Sequence, residues 1–81
     1  MTAMQVADII SDVVVFLELA EQESLDRQAA VQMMKQLEGD LTALDKAFLG
    51  ELIEAFAVIA AENSGKVQDV IREIPRTYHL E

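Results

Sequence analysis

The chain has 81 residues, 52% of them hydrophobic and 26% charged, with a formal net charge of −9 and no cysteine. This length supports one domain, the apolar fraction excludes a chain disordered by composition, and the missing thiols exclude disulfides and thiolate metal sites. An acidic surface repels DNA and RNA and attracts cationic partners at long range, although net charge also serves solubility alone.

The charge is unevenly placed. Asp8, Asp12, Glu18, Glu21, Glu23 and Asp26 stand in the first 26 residues without a Lys or Arg among them. The N-terminus lacks a basic leader region, so the apolar run Val13–Leu17 is not read as a signal peptide. Asp8, Asp12 and Glu18 fall inside any window long enough to span a bilayer, so no membrane segment is expected. The expected location is cytoplasmic. A domain this small buries only roughly 60–65% of its unfolded surface, and extra stability would come from good helix packing or from oligomerisation.

In chain order, Thr2 and Gln5 have the spacing of a capping box, so a helix can begin at Ala3. Val6, Ile9, Ile10, Val13, Phe16, Leu17 and Ala20 recur at three- and four-residue steps and predict its core face. The opposite face carries Met4, Asp8, Ser11, Asp12, Val15, Glu18, Leu19 and Gln22. Carboxylates mixed with Val15 and Leu19 suit a partner-binding helix, or a helix packed on two sides within its own bundle or in a homodimer. The pattern breaks at residues 23–26, and Asp26 is a good N-cap for a second helix.

In that second helix Ala30, Met33, Met34, Leu37, Leu41 and Leu44 make a stripe about 100° wide. The stripe keeps its register across Gly39, which predicts continuation to about Ala43 with the glycine facing solvent. Met33 and Met34 read as core, or as an adaptable binding surface. Asp45 caps the third helix, with Leu44 and Leu49 at hydrophobic-staple spacing. This is the central helix: Phe48, Leu52, Ala55, Phe56, Ile59 and Ala60 form a broad apolar face edged by Leu49 and Ile53. Gly50, Ala57 and Ala61 form a second row of small residues on its other side, broken by Glu54, where a neighbour could also sit. Asn63-Ser64-Gly65 ends the helix. Val67, Val70, Ile71 and Ile74 give a last amphipathic piece that Pro75 is expected to stop. Residues 75–81 are a tail tied down by Tyr78 and Leu80. Arg72 and Arg76 form a basic cluster near Tyr78 that could pair with the acidic first helix within the fold or across a homodimer.

The residues offer little chemistry. Glu18/Glu21 and Glu51/Glu54 are carboxylate pairs three apart, but a di-iron bundle also needs Glu-x-x-His from two helices, and the one histidine, His79, has no Glu at that spacing. Asp40 and Glu51 have the separation of a calcium loop's first and last ligands, yet Leu44 and Asp45 stand where an oxygen ligand and a glycine are needed. Ser11, Ser24 and Ser64 lack a neighbouring base motif, and Ser64-Gly65-Lys66 is too short for a phosphate loop. The expectation is a protein that is not an enzyme and holds no metal or cofactor.

Three segments together resemble the small acidic helical immunity proteins encoded beside bacterial toxins, such as those of contact-dependent inhibition systems. They are LDRQAAVQMMKQLEGDLTALD, FLGELIEAFAVIAAE and GKVQDVIREIP, within residues 25–75. The resemblance implies a cytoplasmic protein that binds and blocks a cognate toxin; it carries over no binding residue. Candidates come from the acidic face instead: Asp8, Asp12, Glu18 and Glu21 for steering, Val15 and Leu19 as apolar anchors.

The expected fold is a single all-α domain, a small up-and-down bundle with helices at residues 3–22, 26–43 and 45–63, a shorter one at 65–74, and the tail 75–81. The expected function is binding of a basic protein partner. The alternative is a structural homo-oligomer that buries Val15, Leu19 and the Gly50/Ala57/Ala61 row against its own copy.

Overall fold

The structure, a computed structural model, describes residues 2–20 and 26–81. They form an all-α bundle of four helices: α1 (Ala3–Leu19), α2 (Arg27–Thr42), α3 (Lys46–Ala61) and α4 (Gly65–Thr77). The first three begin where a side chain takes up the orphan N–H groups of a helix start. Thr2 and Gln5 make the reciprocal capping box, with bonds of 2.9 and 3.1 Å. Asp26 accepts from the Gln28 N–H at 3.3 Å. Asp45 accepts from the N–H groups of both Ala47 and Phe48. α2 does run through Gly39, where an added Cβ would meet nothing within 4 Å.

The α3–α4 turn is made by side-chain amides. Asn63 Nδ2 donates to the Ile59 carbonyl at 2.8 Å, and Gln68 Nε2 reaches back from α4 to the Ala60 carbonyl at 3.0 Å. The same two carbonyls also accept from the Glu62 and Asn63 N–H groups at 3.0 and 3.1 Å, so each takes one backbone and one side-chain donor. Gly65 then opens α4 at φ 65°, a left-handed conformation that glycine takes without strain.

α4 does not stop before Pro75 but continues to Thr77. Proline removes one helical donor, and the chain recovers in the next turn. The Leu80 N–H bonds the Pro75 carbonyl at 2.8 Å and the His79 N–H bonds the Arg76 carbonyl at 3.2 Å. With His79 left-handed at φ 58°, this is a Schellman motif. It turns Leu80 back into the core beside Tyr78, so the tail is anchored as its two apolar residues suggest.

α1, α3 and α4 pack against one another, and α2 lies along α1 over a narrower contact. Leu52, Phe56, Ile74, Val14 and Tyr78 are the largest fully buried side chains. The α3 face matches its periodicity: Leu52, Ala55, Phe56, Ile59 and Ala60 are buried, with Phe48, Leu49 and Ile53 half-buried against them. The Gly50/Ala57/Ala61 row is exposed, so α3 meets its neighbours on one side only.

Two helices depart from their expected faces. α2 buries only Ala30 and Leu41; Met34 and Leu37 are half-buried, while Met33 and Leu44 are exposed. Its stripe is wider than the contacts it makes with α1 and with the end of α4. α1 is rolled by about 100° from the expected orientation: Ala7, Ile10, Ser11, Val14 and Leu17 face inward, and Ile9, Val13 and Phe16 face outward. A face carrying Ala7 and Ser11 admits a closer helix–helix approach than one carrying Ile9 and Phe16. No helix is long and apolar enough to cross a membrane among the described residues.

Candidate functional site: the outer face of the first helix

The roll of α1 decides which of its side chains a partner could reach. Asp8 and Asp12 are exposed, and Leu19 is 41% exposed. Between and beside them stand Ile9 and Phe16, each 53% exposed, and Val13 at 40%. Ile9, Val13 and Phe16 are spaced i, i+4, i+7, so they share one strip of the helix surface, about 10 Å long at 1.5 Å per residue. Single exposed apolar residues are ordinary. Here the apolar strip and the carboxylates along its edge make one mixed face of the kind a partner could use. α1 carries no Lys or Arg to neutralise Asp8 and Asp12.

The other candidate residues of this helix do not join that face. Val15 is half-buried and packs against the core, so it is not available as an anchor without opening the bundle. Glu18 is half-buried on the inner side, close enough to the Tyr78 hydroxyl to act on it electrostatically. Glu21 lies outside the described residues. Asp8, Asp12 and Leu19 are thus brought together with three residues that periodicity assigns to the core. The available sequence signal was a second stripe, Ala7, Ile10, Val14 and Leu17, of equal regularity. Apolar side chains cover most of the α1 circumference, so neither stripe outweighs the other on pattern alone.

A second polar cluster lies where α2 meets the end of α4. A pocket of about 260 Å³ there is lined by Val31, Met34, Lys35, Glu38, Tyr78 and His79, among others. His79 Nδ1 contacts Glu38 Oε1, a contact with both side chains partly in solvent and therefore of little energetic weight. Tyr78 is 2% exposed, and its hydroxyl has no hydrogen-bond partner among the described residues. Burial, with smaller contributions from the Glu18 and Glu38 carboxylates, pushes its pKa up to about 12.

The basic cluster does not bridge to α1 in the way its charge suggests. Arg76 pairs with Glu73 on its own helix at 3.3 Å, and Arg72 makes no ion pair among the described residues. The Ser11 hydroxyl is buried with no hydrogen-bond partner among those residues, so no base addresses it. No three His, Asp or Glu side chains converge as a metal site would require, again among the described residues.

Compared with protein-family models, with curated proteins and with solved structures, the chain has no match.

Proposed function

We propose that this protein is a cytoplasmic, non-enzymatic binding module whose outer α1 face takes a basic protein partner, as an immunity protein takes its toxin. The observation that carries the reading is the placement of Ile9, Val13, Phe16 and Leu19 on the exposed surface beside Asp8 and Asp12. The carboxylates would speed encounter with a cationic partner, and the apolar side chains, once desolvated, would slow its release. The resemblance of residues 25–75 to small acidic immunity proteins points the same way. Of the three candidate serines, Ser11 is buried without a base among the described residues, Ser64 is exposed at the start of α4, and Ser24 lies outside the described residues.

The experiment is capture of partners from native-host lysate on the tagged protein, at low and moderate salt, with the bound proteins identified by mass. One stoichiometric basic protein, released as salt rises, is the expected result. With that partner in hand, Asp8→Lys combined with Asp12→Lys should lower the association rate, more so at low salt. An unchanged association rate would remove this face from the mechanism.

A self-associating protein is the second reading, favoured by the exposed Gly50/Ala57/Ala61 row with Val58 beside it on α3. It calls for a solution mass above that of one chain. A monomer mass across the accessible concentration range would exclude it.

A further inference from the structure

The α1 face limits what kind of element can sit on it. The backbone ladder of α1 is closed through its interior, from Ile9 to Phe16. Its N-terminus is held by the Thr2/Gln5 box, and the Ala20 N–H bonds the Phe16 carbonyl. α1 therefore offers a partner side chains and no free backbone groups along the Ile9–Phe16 strip. A strand or irregular segment laid there would turn its own N–H and C=O groups against apolar side chains and leave them unpaired. The described residues contain no sheet edge to extend. A helix satisfies its backbone internally, and its side-chain ridges fit the i, i+4, i+7 spacing of the strip.

Charge narrows the choice further. Asp8 and Asp12 edge the strip, and residues 3–19 contain no cation. A second copy meeting α1 against α1 would set these carboxylates against one another, and an anionic lipid surface would meet the same repulsion. A helix bearing Lys or Arg beside its apolar row would instead pair with both.

Resting on the protein-binding reading above, we propose that the outer face of α1 seats a basic amphipathic helix of the partner, packed along Ile9, Val13 and Phe16 with its cations on Asp8 and Asp12. The occupant is thus defined by its chemistry: apolar residues at helical spacing on one side, Lys or Arg flanking them.

The test uses the full chain and three synthetic peptides of about five turns. One is built from Leu at helical i, i+3, i+4, i+7 spacing with Lys alongside. One has the same composition permuted so that no apolar face forms. One has Glu in place of Lys. The expected result in heteronuclear NMR titrations is that the first peptide shifts the resonances of Ile9, Asp12, Val13 and Phe16 and binds at least about tenfold more tightly than the other two, a difference of about 1.4 kcal/mol. Phe16→Ala should weaken that binding by about tenfold without lowering the thermal midpoint of the free protein, because the ring is half in solvent. Equal binding of the permuted peptide, or shifts confined to α2 and the end of α4, would overturn the proposal. Photo-crosslinking in host cells from positions 16 and 33 separates the two levels of the argument. An adduct with another protein from position 33 alone keeps protein binding, moves it from α1 to α2, and discards the helix on α1. No adduct from either position discards both. A self-adduct from position 16 replaces the basic helix with a second copy.

Discussion

Tyr78 supplies the sharpest physical test of the fold. It is the only tyrosine, and the chain has no tryptophan, so the near-ultraviolet phenolate signal reports a single site. The ring is fully buried and the hydroxyl is unpartnered among the described residues. An unsatisfied buried hydroxyl costs about 1–3 kcal/mol relative to its hydrated state. Tyr78→Phe keeps the ring and removes that cost, so the variant should be more stable at neutral pH by about 1 kcal/mol. The pKa adds a second signature. Burial first, then Glu18 and Glu38, raises it from 10.0 to about 12. The folded state therefore holds the phenolic proton more tightly than the unfolded chain. Below pH 10 both states are protonated and nothing is lost. Between pH 10 and about 12 the unfolded chain ionises first and stability falls, by about 3 kcal/mol in total. Urea unfolding of the wild type and Tyr78→Phe at matched pH isolates this step from lysine titration, which both proteins share. A phenolate transition near pH 10 in the native protein, or a variant less stable than wild type by more than about 1 kcal/mol at neutral pH, would refute the placement of the hydroxyl.

Phe56 lies at 0% exposure in the core cluster, so Phe56→Ala should cost about 3–5 kcal/mol in urea unfolding; a loss below about 1 kcal/mol would mean that α3 does not centre the bundle on this ring. Gly39 sits inside α2 with open space where a Cβ would go. Gly39→Ala should therefore raise stability by up to about 1 kcal/mol, and a loss in thermal or urea unfolding would indicate a break in the helix there.

The helix starts, the central helix and its buried face were written locally in the chain. Thr2, Asp26 and Asp45 cap because a short polar side chain can reach N–H groups two or three residues on, an effect that needs no tertiary partner. α3 carries large apolar residues on one side and small or charged ones on the other, so its rotation follows from its own pattern. Local rules misplaced the end of α4. The bias against helix before proline is a preference, and the Schellman turn over residues 75–80, with Leu80 entering the core, outweighs it.

The rotation of α1 was decided by tertiary structure alone. Its apolar residues surround the axis, so burying Ile9, Val13 and Phe16 or burying Ala7, Ile10, Val14 and Leu17 satisfies the same periodicity. Only the presence of α3 and α4 on one side selects the face with Ala7 and Ser11, where helices can approach closely. That selection places Val15 and Glu18 against the core and leaves Ile9, Val13 and Phe16 in solvent beside Asp8 and Asp12. The acidic character of the first helix was thus readable from composition, but its exposed apolar strip exists only because three other helices chose which side of α1 to cover.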